Sequence, residues 1–427
     1  MSADSGKHFF RQAGWMLAAN LGCGVFMFAV HPIASKMEAA EYGVFQTLLK
    51  VFLLLGVPAA GLQAVFALQT ATAKEPAAQA DLAAAVRILL RAMCLLWLAM
   101  LTVGLAGSEA ICATLKIGNP DALLATLGLG LTMLWLPILR GVLQGRQDFA
   151  GLGWTLMIDG FGRFSMVVVL VILLHGQAAS ALSASLFSQF AAVVLAWHAT
   201  REVRAVPGGT FAWRPWLARV LPLTLGLGAV TFISAADMVF VQSQFDRELT
   251  RLYGAGVIVG FGLSQFTLPI AAVMFPKIAG GGQDAALRHT LTGTALMGGA
   301  VAAVCSLLPT LPLRVVYFRN PEEFLPAAPL VPWFAWSILF LVLANVLVQN
   351  LLARERFAIV PWLVLIAAGF AGGLWRIQPG LAGMEPLAAF RLVVQVLGAA
   401  CVTLLGTAVW FTWGSSKFQV QGSKSVP

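Results

Sequence analysis

Most ionisable side chains in this sequence flank long apolar runs, but a few stand inside them, and these are the residues whose chemistry needs explaining. Lys50 lies about eight residues into the run that opens near residue 42, roughly 12 Å along a helix rising 1.5 Å per residue. Asp237 lies about six residues from the end of the run at 217–243, roughly 9 Å deep on the same rise. An ammonium at such a depth attracts an anion such as a diphosphate. A carboxylate there binds a proton or sodium ion, or releases Lys50 when protonated. The same two residues also suit a permanent buried ion pair, and the Lys50 stem is long enough to snorkel.

Asp159 and Arg163 are four apart, on one face of a helix, and can neutralise each other. If Asp159 is satisfied elsewhere, the Arg163 guanidinium is available to grip phosphate oxygens in a bidentate fork. Arg87 and Arg91 share a face at the inner end of the third run, and Arg140 lies near the inner end of the fourth. These three read either as head-group anchors or as further cations of a cavity. Taken together, the first half offers Lys50, Arg87, Arg91, Arg140 and Arg163 against the single acid Asp159, while the second offers mainly Asp237. A cationic wall suits an anionic head group better than a cationic drug.

Other chemistries find little support. His8, His31, His175, His198 and His289 fall near the ends of runs, and none has a second histidine or a carboxylate at metal-ligand spacing. Cys23, Cys94, Cys112, Cys305 and Cys401 stand alone, with no C-x-x-C, and read as small packing residues. Trp15, Trp135, Trp154, Trp333 and Trp336 could stack on sugars, and they equally suit interfacial aromatic belts. The longest outer segments, 107–120 and 311–325, hold no acid/histidine pair of the kind a membrane-embedded polymerase, ligase or acyl transferase needs. No cofactor, no metal and no catalytic residue is expected. A net charge of +9 raises nucleic acid as a partner, but the basic residues are scattered between apolar runs and form no patch.

What positions these residues is a membrane-spanning frame. Apolar residues make up 59% of the 427 and charged ones 11%, where a soluble domain carries roughly 25% charged. At about 20 apolar residues per crossing, the chain has room for about twelve helices and no large soluble domain. The runs lie near 9–34, 42–70, 82–106, 121–144, 149–174, 179–199, 217–243, 252–276, 289–310, 326–352, 357–374 and 387–413. Basic residues gather on one set of connecting segments, among them Arg201, Arg204, Arg214, Arg219, Lys417 and Lys424, which predicts cytoplasmic N- and C-termini in an inner membrane.

The chain also echoes itself. Tyr42-Gly43 and Tyr253-Gly254 open the second and eighth runs 211 residues apart, and Pro58 and Pro269 follow at the same interval, where they are candidate hinges. Leu143, Arg146 and Phe149 recur as Leu351, Arg354 and Phe357 at an offset of 208. Six helices per half make a parallel repeat, two six-helix bundles related by a pseudo-twofold along the membrane normal, with a substrate site expected between them. The division predicted is a first lobe at 1–200, a cytoplasmic connector at 201–216, a second lobe at 217–413 and a cytoplasmic tail at 414–427.

Three stretches carry a family resemblance. Ala13-Gly14-Trp15 with Ala40-Glu41-Tyr42-Gly43, Leu143-Gln144-Gly145-Arg146-Gln147-Asp148-Phe149, and Ala236-Asp237-Met238-Val239 with Leu252-Tyr253-Gly254-Ala255 and Phe275-Pro276-Lys277 resemble the polysaccharide flippases. These belong to the multidrug/oligosaccharidyl-lipid/polysaccharide exporter superfamily. The resemblance implies a MATE-like V of two bundles around a cavity, with alternating access. It implies a polyprenyl-diphosphate-linked oligosaccharide or related glycolipid as substrate, H+ or Na+ as candidate coupling ions, and other polysaccharide assembly proteins as candidate partners. A drug/cation antiporter of the same fold is the alternative, and it would want more cavity acids than Asp159 and Asp237.

Overall fold

Backbone inside a bilayer has no water to bond, so each crossing must satisfy its own N–H and C=O groups, and a helix does so. A computed structural model describes residues 3–278 and 283–414, which are helical nearly throughout and hold no strand. The helices are α1 (Ala3–Ala34), α2 (Ala39–Leu55), α3 (Leu62–Thr72), α4 (Pro76–Ala106), α5 (Ser108–Thr114), α6 (Pro120–Gly145), α7 (Phe149–Val167), α8 (Ala178–Ala199) and α9 (Arg201–Ala205). They continue as α10 (Trp213–Ile233), α11 (Ala236–Gln244), α12 (Arg247–Ile278), α13 (Gln283–Leu307), α14 (Thr310–Val316), α15 (Val331–Ala353), α16 (Val360–Leu381) and α17 (Pro386–Val409).

Among the described residues, eleven helical stretches are long and apolar enough to cross a bilayer. The 32-residue α12 stands at the place of the eighth expected crossing, so the all-α, about twelve-helix reading holds. Proline in the first turn of α4, α6, α15, α16 and α17 marks their starts, because its missing N–H is not needed there. Apart from Gly414, the expected tail at 414–427, with Lys417 and Lys424, lies outside the described residues.

The echo at offset 208 is a repeated piece of backbone. Asp148 N donates to Leu143 O at 2.9 Å across Gln147, whose φ is 59°, and Arg356 N donates to Leu351 O at 3.0 Å across Glu355, whose φ is 55°. Both are Schellman-type helix ends, and both turn the chain tightly into the next helix. The seven-residue helices α5 and α14 likewise follow the third and ninth crossings.

The chain packs as two compact units, Met1–Thr224 with Asp246–Arg251, and Leu225–Phe245 with Leu252–Pro427. The division falls inside α10, beyond the connector expected at 201–216. The cause is apolar: Trp216 and Val220 are buried in the first unit's core with Leu82, Val86, Leu139 and Val142, so the start of α10 belongs there.

Within the first unit, α3 crosses α6 at Gly141 and Gly145, a small-x-x-x-small pair of the kind that lets membrane helices approach closely. A Cβ on Gly141 would sit 2.6 Å from Gln63 O and 2.8 Å from Phe66 Cβ, and one on Gly145 would strike Ala67 O. Gly141→Leu should therefore destabilise the protein by about 1–3 kcal/mol or more, read as a lower thermal unfolding temperature in detergent. Gly369→Ala, which meets nothing within 4 Å, should leave that temperature unchanged.

Candidate functional site

The tight turn around Gln147 folds α6 and α7 into a hairpin, which sets Arg140 beside the α7 face that carries Thr155, Asp159 and Arg163. Arg140 donates through Nε to Thr155 Oγ1 at 3.1 Å, and through Nη2 to Thr155 O at 3.0 Å and Asp159 Oδ2 at 3.4 Å. Arg163 Nη2 donates to the other oxygen, Asp159 Oδ1, at 3.0 Å. The side chains are 14%, 5% and 6% exposed for Arg140, Asp159 and Arg163, so two guanidiniums share one carboxylate out of water and the triad is net positive.

Helices α1 and α2 complete the surroundings. Gly160 brings α7 against α1, where an added Cβ would lie 2.7 Å from Cys23 Cα, and the Asp159, Arg140 and Arg163 charges all reach Cys23. His31 on α1 is buried within reach of the charges of Lys50 and Arg163. Phe52, one half-turn beyond Lys50 on α2, lies under the Arg163 guanidinium, 5.9 Å from its ring centroid. Arg163 Nε finds no hydrogen-bond acceptor among the described residues. The structure thus brings Lys50, Arg140, Asp159 and Arg163 into one neighbourhood.

Arg87 and Arg91 have different surroundings. Arg87 donates to the carbonyls of Arg204, Val206 and Gly208 at 2.9, 2.6 and 3.0 Å, and Asp81 Oδ1 accepts from Thr210 N at 2.6 Å. Together they fasten the connector to the N-terminal part of α4. Arg204 caps this arrangement by lying over Trp197 at 3.6 Å, and Trp197 stacks on Trp135 with centroids 5.4 Å apart. Arg91 is exposed. A separate open cleft of about 500 Å³ is lined by Cys112, Ala113, Lys116, Ile117, Asp246 and Arg247, none of which belongs to the triad.

In the second unit the seventh crossing is broken. α10 ends at Ile233 and α11 begins at Ala236, which puts Asp237 in the first turn of α11, 2% exposed. Helix N-termini favour a carboxylate through their free N–H groups and dipole, and Tyr253 Oη donates to Asp237 Oδ2 at 2.8 Å. Tyr253 is itself fixed edge-on against Phe334 and Phe390, with centroids at 5.1 and 5.5 Å. The Asp237 charge reaches Cys401 on α17. Asp237 therefore has a bonding partner within its own unit, and Lys50 belongs to the other. Of the candidate hinges, Pro58 lies in a 3₁₀ turn, Val57–Ala59, that separates α2 from α3. Pro269 falls inside α12, which is helical without interruption from Arg247 to Ile278.

Sequence reasoning had not joined Arg140 to Asp159 or Tyr253 to Asp237, and had not found Thr155. The signal for the first was the short 146–148 turn, since residues flanking a hairpin turn at similar distances become neighbours. Among the described residues no group of three or more His, Cys, Asp and Glu side chains could hold a metal ion.

An all-helical chain with this many crossings and two compact units defines a polytopic membrane protein. Its fold is that of the MATE transporters. A solved inward-facing multidrug resistance MATE family transporter of the MOP superfamily is 15% identical with TM-score 0.63, covering 96% of each chain. An outward-facing structure of a multidrug resistance MATE family transporter is 14% identical with TM-score 0.59, covering 96% of this chain and 97% of that one. A MOP superfamily transporter from Pyrococcus furiosus, whose structure is reported with a reverse polarity of its binding pocket that suggests a different function, is 13% identical with TM-score 0.63 and covers 98% and 96%. No family model and no curated protein matches the sequence.

Proposed function

We propose that this protein is a transporter that moves an anionic lipid-linked glycan, a polyprenyl-diphosphate-linked oligosaccharide or a related glycolipid, across the cytoplasmic membrane by alternating access, for polysaccharide biosynthesis and export. The observation that carries the reading is the buried Arg140–Asp159–Arg163 triad, in which one carboxylate serves two guanidiniums. A surplus of buried positive charge is costly unless something anionic comes to it, and guanidinium forks match phosphate oxygens. Lys50, beside the same neighbourhood, adds to the attraction. Proteins of this fold have been solved facing inward and facing outward, which supports alternating access here. The Pyrococcus protein supports pocket charge as a guide to function within the fold.

In this reading Arg87 and Arg91 hold the inner rim, both termini are cytoplasmic, Asp237 is the candidate site for a coupling H+ or Na+, and other polysaccharide assembly proteins receive the product. The fold neighbours are transporters, which supports a non-enzymatic role. A drug/cation antiporter is the second reading, favoured by the buried acid Asp237 with its Tyr253 donor.

Purified protein in vesicles, loaded with a fluorescent polyprenyl-diphosphate-linked oligosaccharide and quenched from outside by an impermeant reductant, separates the two. Loss of the protected glycolipid pool, with no movement of a cationic dye, is expected. Gradient-driven dye accumulation with a static glycolipid pool would establish the antiporter instead.

A further inference from the structure

Gln46 is 4% exposed on α2, in the hydrocarbon-spanning part of the first unit, and neither its amide nitrogen nor its amide oxygen has a hydrogen-bond partner among the described residues. Leaving both ends of a buried amide unpaired costs the desolvation of each, so such a group calls for a ligand or for a reason to be kept. Its placement supplies one. Gln46 is four residues before Lys50, one turn away on the same face of α2. The next residue along the chain in the other direction, Phe45, has its ring 6.2 Å from that of His31, and His31 lies within reach of the Lys50 and Arg163 charges. Arg163, 5% exposed, also holds a buried donor with no hydrogen-bond partner among the described residues, its Nε.

The two orphaned groups differ in what they can accept as a ligand. Arg163 only donates, so it fits phosphate oxygens. A carboxamide donates twice and accepts as well. A bare diphosphate would use the donors alone, and a proton or sodium ion the oxygen alone. A ligand that engages both ends must itself donate and accept, as a sugar hydroxyl or an acetamido group does. We infer that Gln46 is a specificity-determining residue that reads the first sugar of the lipid-linked glycan, next to the cations that hold its diphosphate. This rests on the glycan reading proposed above and adds to it the subsite that distinguishes a glycosylated lipid from its bare carrier.

Gln46→Met, nearly constant in volume and without polar hydrogens, tests this by two measurements on the full-length protein. In detergent without ligand the variant should unfold at a temperature equal to or above the wild type's, because an unsatisfied amide has been removed. A clear fall would show that Gln46 is bonded within the fold and overturn the inference. In binding to polyprenyl diphosphate with and without its sugar, the variant should lose about tenfold in affinity for the glycosylated lipid, the loss typical of one good hydrogen bond. It should bind the bare polyprenyl diphosphate like the wild type. Equal binding of both lipids by variant and wild type would overturn the sugar-reading role and leave the glycan reading intact. Failure of the wild type to bind either lipid would overturn the glycan reading, and this inference with it.

Discussion

Asp159→Asn should destabilise the first unit by about 3–5 kcal/mol, the cost of breaking a buried ion pair by removing one partner, and should be seen as loss of folded protein from the membrane. The magnitude follows from what remains. Arg140 and Arg163 both bond to Asp159, at 3.4 and 3.0 Å, and with an amide in its place two guanidiniums would be left side by side with no counter-charge. Arg163→Met makes the informative contrast. It leaves Arg140 paired with Asp159 and still bonded to Thr155, so the charges balance and folded levels should stay near wild type. Transport of the lipid-linked glycan should nevertheless fall to background, because the surplus positive charge has gone. Normal transport by Arg163→Met would show that the triad only joins α6 to α7. A thermal unfolding scan of both variants beside the vesicle assay separates these outcomes.

The parts of this molecule that were legible in the sequence are those written locally. Spans at 121–144 and 179–199 match α6 (Pro120–Gly145) and α8 (Ala178–Ala199) because Pro, Gly and charged residues punctuate both ends. The offset of 208 was legible because Leu143, Arg146 and Phe149 recur as Leu351, Arg354 and Phe357 around two helix ends of the same backbone geometry, although the left-handed position holds Gln147 in one and Glu355 in the other. Short helices α5 and α14 were read as loops, since seven residues show too little periodicity to register.

The break before Asp237 was missed for a different reason. No Pro or Gly marks it. Instead Ser234 Oγ donates at 2.8 Å to Thr231 O, one of the last four carbonyls of α10, after Thr231 Oγ1 has bonded back to Leu227 O at 2.9 Å within the helix, so side-chain hydroxyls accompany an end that is usually read from backbone breakers. Reading α10 and α11 as one helix put Asp237 inside a continuous span, whereas it stands in the first turn of α11. The site was legible only in part. The i, i+4 spacing gave Asp159 with Arg163, whereas Arg140 joins them through a hairpin and Tyr253 reaches Asp237 across sixteen residues, relations that only the tertiary fold creates.

Asp237→Asn should abolish the response of transport to an imposed proton or sodium gradient while leaving folded levels and glycolipid binding unchanged. The amide keeps the shape of the carboxylate, can still accept the Tyr253 Oη hydrogen bond that is 2.8 Å long in the native protein, and still lies in the first turn of α11. What it loses is the charge, and with it the capacity to take up and release a cation, which is the role proposed for Asp237 in the cycle. Asp237→Leu sets the scale for a purely structural effect, because it strands the Tyr253 hydroxyl in a fully buried site at a cost of about 1–3 kcal/mol. Tyr253→Phe completes the series. Its ring keeps the edge-on contacts with Phe334 and Phe390, so the protein should fold, and the gradient response should weaken without vanishing. Facilitated movement of the glycolipid by Asp237→Asn at zero gradient, equal to wild type, together with no acceleration when the gradient is applied, is the expected signature of a lost coupling site. An undiminished acceleration would reduce Asp237 to a structural acid that ties the start of α11 to α12.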